Sequence, residues 1–156
     1  MKIASLVLIR QGTKVLLGEK HAKAEIGGKT LNAPGGKCDG DESPIQSAIR
    51  ETFEEVGIKL FPECLEKIAV ITFYAAGVPD FEVHTYLTSK FEGEPVATKE
   101  MVPAWFEVTN LPLERMLESD RSWFPKALPG EKFRASVYYR ERAKGFEKIE
   151  FLPADF

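Results

Sequence analysis

The stretch that decides the fold runs Gly36-Lys37-Cys38-Asp39-Gly40-Asp41-Glu42-Ser43-Pro44-Ile45-Gln46-Ser47-Ala48-Ile49-Arg50-Glu51-Thr52-Phe53-Glu54-Glu55-Val56-Gly57-Ile58. Ser43 and Gln46 stand three apart, the spacing of a capping box, and Pro44 takes the first helical position. Gly57 is placed to stop the helix in left-handed backbone. On a wheel of about 100° per residue, Ile45, Ile49, Thr52, Phe53 and Val56 share one sector about 100° wide. That stripe is expected to face a core. Glu51, Glu54 and Glu55 fall on the other side at i, i+3 and i+4.

Carboxylates gathered on one helical face repel one another, and only Arg50 stands beside them. A solvated helix would intersperse lysines. A hard cation makes sense of the cluster, since magnesium takes oxygen ligands and commonly binds a few carboxylates together with substrate phosphates. The competing reading is a solvated acidic face, and the helix alone does not decide between them.

Outward from the helix, Ile3 to Arg10 and Lys14 to Gly18 are β-rich runs around Gln11-Gly12-Thr13, a hairpin pattern. His21 to Thr30, containing Gly27-Gly28, reads as a loop, and Gly35 to Asp41 as a second one. Lys67 to Ala75 and Phe81 to Ser89 read as strands separated by Gly77-Val78-Pro79-Asp80. Val102 to Val108 is a further strand. Leu113 to Leu117 and Ser122 to Leu128 read as short helical pieces. Lys132 to Arg140 and Phe146 to Phe151 are late strands around Lys144-Gly145. Hairpin-length turns among several strands predict a mixed sheet in an α/β chain.

The 156 residues suit one domain over 1–156, and 44% hydrophobic content supports a core without disulfide or zinc staples. The net charge of −3 offers no basic field for a nucleic-acid backbone or an anionic membrane. A small anionic substrate must then be held by local groups or by metal. Cys38 and Cys64 lack metal-type spacing and read as free thiols of a reducing compartment. The apolar run in Met1 to Arg10 is too short to span a membrane and reads as a first strand. A cytoplasmic location is expected.

Gly36, Glu42, Arg50-Glu51, Glu54-Glu55 and Gly57-Ile58 stand at the spacing of the Nudix box, with every fixed position filled. At average residue usage such a coincidence arises about once in a million chains of this size. Thr52 stands where that family prefers an aliphatic residue. Beyond the box the chain resembles the MutT-homologue group that hydrolyses oxidised purine nucleoside triphosphates. The resemblance runs through Val15 to Lys20, Leu31 to Lys37, Lys99 to Phe106 and Asp120 to Pro125. It implies a Nudix fold, an α/β/α sandwich with a mixed β-sheet. It implies metal binding by Glu51, Glu54 and Glu55, with Gly36 offering a backbone carbonyl and Glu100 a further ligand or base. The ion would be Mg2+, with Mn2+ as an alternative. Arg50 would orient the carboxylates, and Glu42 would brace the loop against the helix.

The resemblance further implies that Asn32 hydrogen-bonds the base edge and that Lys20 lies near the phosphates or pocket mouth. The family group reads its purine with two aspartates and covers it with a tryptophan. Here Asp120 is kept, Ser119 replaces the other aspartate, and Leu117 replaces the tryptophan. Phe73 or Phe81 is the available aromatic substitute. Trp105 and Phe106 are expected in the core, and His84 as a satisfied core histidine. The expected activity is nucleoside triphosphate pyrophosphohydrolysis on a small-molecule nucleotide, by a monomer or dimer, with no nucleic-acid or membrane partner. Alternatives are hydrolysis of dinucleoside polyphosphates, for which Tyr74 is suggestive, or of nucleotide sugars, and a non-catalytic nucleotide-binding domain.

Overall fold

The computed structural model describes residues 1–21 and 29–156. The expected loop with Gly27-Gly28 therefore lies largely outside the described residues. The chain forms β1 (Lys2–Gln11), β2 (Lys14–Lys20), β3 (Leu31–Asn32), β4 (Gly35–Lys37), α1 (Pro44–Val56) and β5 (Lys59–Leu60). It continues through β6 (Glu66–Ala75), β7 (Val78–Thr88), β8 (Phe91–Glu92), β9 (Met101–Glu107), α2 (Asp120–Ala127), β10 (Phe133–Glu141) and β11 (Lys144–Pro153). Leu113–Arg115 is a single 3-10 turn.

The main sheet runs β11-β10-β6-β7-β1-β2-β3, with β4 added to β1 and β9 added to β2. It is mixed, as expected: β1 lies parallel to β7 and β6 parallel to β10, while β1–β2, β6–β7 and β10–β11 are antiparallel. Alternate residues of β1 feed two cores. Leu6 and Leu8 join Trp123, Phe124 and Ala127 of α2. Val7 and Ile9 join Ala48 and Val56 of α1. The sheet is thus covered by a helix on each face, which is why β1 is apolar almost without alternation. Trp105 and Phe106 pack against these cores from opposite sides of β9. No described helix is long and apolar enough to cross a membrane.

The capping box of α1 is formed: Ser43 Oγ accepts from Gln46 N, and Gln46 Oε1 accepts from Ser43 N. Gly57 adopts φ 75° and donates its N–H to the Phe53 carbonyl. Thr52 is fully buried, while Ile45 and Ile49 are half-buried against the α1 core. Phe53 departs from expectation, being 61% exposed. It lies at the edge of the apolar sector, and no element among the described residues comes across to cover it.

Other departures concern turns. Gly35–Lys37 is a strand edge paired with Ala4–Leu6, not free loop. The β6–β7 turn is the tight pair Ala76-Gly77, both at positive φ, and Val78 and Pro79 already belong to β7. Positive φ at both central residues matches the right-handed strand twist. His84 is less satisfied than expected: Nε2 lies 2.9 Å from Glu82 Oε2, yet the buried Nδ1 has no hydrogen-bond partner among the described residues. Cys38 and Cys64 are both free.

This layering sets apart two phenylalanines. Phe53→Ala is expected to change stability by no more than about 0.5 kcal/mol. Phe124→Ala, which empties the α2 core, is expected to cost about 3–5 kcal/mol. Urea denaturation of both variants checks the contrast, and equal costs would contradict the exposure of Phe53.

Candidate active site

Arg50 is the hub of the acidic end. Its Nε and Nη2 donate to Glu42 Oε2 and Oε1 at 2.8 and 2.9 Å, a two-pronged pair. Its Nη1 donates to Glu51 Oε1 at 2.9 Å and to Glu54 Oε2 at 3.1 Å, and Nη2 also reaches the Lys37 carbonyl. Glu42 accepts from Asp39 N as well, so it ties the loop to the helix as the box pattern implied. The Arg50 guanidinium and that N–H together hold the Glu42 carboxyl down at about 2.

Glu51, Glu55 and Glu100 converge, each offering an oxygen within 4.8 Å of the others. Glu100 comes from the chain ahead of β9. Thr98 fastens that approach by donating its hydroxyl to the Glu55 carbonyl and accepting from Glu100 N. Glu54 stands outside the trio, more exposed and bonded to Arg50. Glu55 is buried, accepts from Gly35 N at 2.8 Å, and lies 3.9 Å from Lys20 Nζ. Burial, with Glu51 and Glu100 adding repulsion, pushes its carboxyl up to about 7 against the pull of Lys20. Burial raises Glu51 too. The residues fit a divalent cation: the donors are hard oxygens, and positive charge among them favours the ionised form of each carboxyl.

Gly36 is needed here for space. A Cβ at that position would sit 2.5 Å from the Glu51 carboxyl carbon. Its carbonyl accepts from Ser47 Oγ at 3.1 Å, which fixes the peptide beside the trio.

A cavity of about 260 Å³ adjoins this cluster. Gly36, Lys37 and Glu51 line one part of it, and Phe73, Phe81, Val83, Leu117 and Asp120 another. Lys20 and Asn32 also line it, so each residue expected to bind substrate reaches one space. The volume falls just below the ~300–1,000 Å³ of a typical small-molecule pocket. Asn32 is buried and its Oδ1 accepts from Ala33 N at 2.8 Å, which orients the amide.

Ser119 is fully buried and tied to Tyr139. Its hydroxyl accepts from Tyr139 OH at 3.0 Å, and its N–H donates back to the same oxygen. Asp120 is 1% exposed, and its Oδ1 accepts from Trp123 Nε1 at 2.9 Å. Its buried Oδ2 has no hydrogen-bond partner among the described residues. Burial pushes this carboxyl up to about 7, against the Trp123 bond and Lys20. Both Phe73 and Phe81 line the cavity where the sequence left the choice open. Tyr74 does not; it stacks on Tyr138 at 4.6 Å and borders a separate small void. Sequence reading missed the wall residues of β1 and β7, Ala4, Leu6 and Val83. Ala4 and Val83 are cross-strand partners, so strand alternation plus the pairing would have found them.

Asp120 binds a proton more tightly folded than unfolded, where its value is near 3.8. Its contribution to stability is complete below about pH 4 and is lost as pH rises towards about 7. Asp120→Asn keeps the neutral form at every pH. Thermal melting of cation-free protein across pH 4–8 is expected to fall more steeply in the wild type than in this variant. Parallel curves would show that Asp120 is not buried in an uncharged state.

A NUDIX domain model matches residues 1–127. The chain is 37% identical over 133 residues to a protein from Danio rerio named oxidized purine nucleoside triphosphate hydrolase, covering 85% of this chain and 83% of that one. A Mus musculus protein of the same name is 34% identical, covering 90% of this chain and 88% of the relative. Among solved structures, a MutT protein from Bacillus halodurans superposes with a TM-score of 0.81 at 20% identity, covering 99% of this chain and 100% of that one. That superposition carries the fold alone. The match over residues 1–127 and the two relatives above 30% identity carry the family: this chain belongs to the Nudix family.

Proposed function

We propose that this chain is a Mg2+-dependent nucleoside triphosphate pyrophosphohydrolase that acts on purine nucleotides and favours oxidised ones such as 8-oxo-dGTP, with Mn2+ as an alternative ion. The observation that carries the reading is the convergence of Glu51, Glu55 and Glu100 beside the cavity that Asp120 closes. The relatives' names support the oxidised-purine part. The whole of residues 1–156 acts as one domain in a reducing, cytoplasmic setting. Its partner is a small molecule, not a nucleic acid or a membrane.

Glu51 and Glu55 would hold the ion centrally, with Glu54, Glu100 and the Gly36 carbonyl around them. A bound divalent cation supplies an acidified water and polarises the attacked phosphorus. Arg50 keeps Glu51 and Glu54 in place through its fork. Lys20 offsets phosphate charge at the mouth of the cavity. A carboxylate of the group accepts the water proton as the water oxygen bonds to phosphorus. The bridging P–O bond breaks, releasing pyrophosphate and leaving the monophosphate. Asn32 and Asp120 meet the base edge. The Asn32 amide carries both donor and acceptor, and a protonated Asp120 can donate where an ionised one accepts.

Turnover across nucleoside triphosphates, nucleotide sugars and dinucleoside polyphosphates, with Mg2+ present, tests the reading. Oxidised purine triphosphates are expected to be cleaved best, and a clear preference for the other classes would replace it. Tight nucleotide binding with no product would instead make this a binding domain. Glu55→Gln is expected to fold normally and lose at least about a hundredfold in kcat. Full activity in that variant would remove Glu55 from the chemistry.

A further inference from the structure

We propose that Arg142 is a positioning residue that sets the geometry of the aromatic wall of the cavity, and through it the affinity for a purine base. The inference rests on the proposed nucleotide reading and extends it to a residue far from the metal-binding helix.

Arg142 sits in the turn between β10 and β11 and donates Nε and Nη2 to the two carboxylate oxygens of Asp80, both at 2.6 Å. Asp80 immediately precedes Phe81 on β7. The guanidinium also lies over the Phe81 ring, 5.2 Å from its centroid. Phe81 is the cross-strand partner of Phe73. Both rings line the cavity. A separate small void is bordered by Phe73, Leu117, Asp80, Arg142 and Ala143. Phe73 and Leu117 therefore border both spaces, and Arg142 and Ala143 share the second with them.

The clamp is specific in form. A planar fork matches a carboxylate with two parallel bonds and lays a flat face on an aromatic ring, which an ammonium cannot do. The turn it fastens contains Ala143 at φ 58°, a conformation that costs a non-glycine residue energy and persists only where its surroundings hold it. Leu117 stands where the resemblance led one to expect a tryptophan. Aromatic contact with a base then falls to Phe73 and Phe81, and their alignment matters correspondingly more.

Steady-state kinetics on an oxidised and an ordinary purine triphosphate test this, with the dissociation constant of the purine monophosphate product measured alongside. Arg142→Ala and Asp80→Asn are each expected to raise KM and the monophosphate dissociation constant about tenfold, within what a base–aromatic stack contributes. The kcat is expected to stay within about twofold, because the carboxylate trio is untouched. Arg142→Lys is expected to resemble Arg142→Ala. Phe81→Leu should raise KM similarly, and adding Arg142→Ala to it should do little more, since the two act through one ring.

Unchanged KM in folded Arg142→Ala, a loss confined to kcat, full rescue by lysine, or additive effects with Phe81→Leu would each overturn the inference. Thermal melts establish that the variants are folded at the assay temperature. A wild type that neither cleaves nor binds purine nucleotides would sink the functional reading and this inference with it. An active wild type with an indifferent Arg142 would sink this inference alone.

Discussion

One guanidinium makes the acidic helix of this protein tenable. Arg50 reaches Glu42, Glu51, Glu54 and the Lys37 carbonyl at once. Without it, the loop carboxylate and the helical ones would face each other with only solvent to screen them. Charge-assisted bonds of this kind fix orientation as well as energy. The arrangement also divides labour. Glu42 is saturated by its partners and fully ionised, a structural brace. Glu55 lies beyond the guanidinium's reach, buried beside other carboxylates and held near neutrality.

The remainder of the site grows out of two layers meeting along β1. That strand carries β4 on one side, which brings Gly36 under Glu51, and β7 on the other, which brings Phe81 and Val83 to the cavity. The helices on opposite faces of the sheet contribute at different points. α1 brings the carboxylates, and α2 begins at Asp120 and backs it with Trp123. A buried carboxyl oxygen with no hydrogen-bond partner among the described residues is unusual in a native fold.

What was legible in the sequence was what is local. The cap residues Ser43, Pro44, Gln46 and Gly57 act over one turn, so the helix boundaries could be read directly. The glutamate spacing and the box glycines are equally short-range. Phe53 was misplaced because its angle lies at the margin of the apolar sector, where burial depends on whether a neighbour arrives. β3, β4, β5 and β8 are two or three residues long and owe their existence to partners, not to periodicity of their own. Glu100 was reachable only through the family resemblance, since nothing near it signals that it will meet Glu55 forty-five positions earlier. The Asp80–Arg142 pair joins a strand to a turn 62 residues further on, and its letters look like ordinary surface charge.

The carboxylate trio and the apolar wall of the cavity hang on different segments, α1 and the approach to β9 for the one, β6, β7 and the run into α2 for the other. A fold laid out this way lets the shape of the apolar wall vary at a position such as Leu117 independently of the segments that carry the carboxylates.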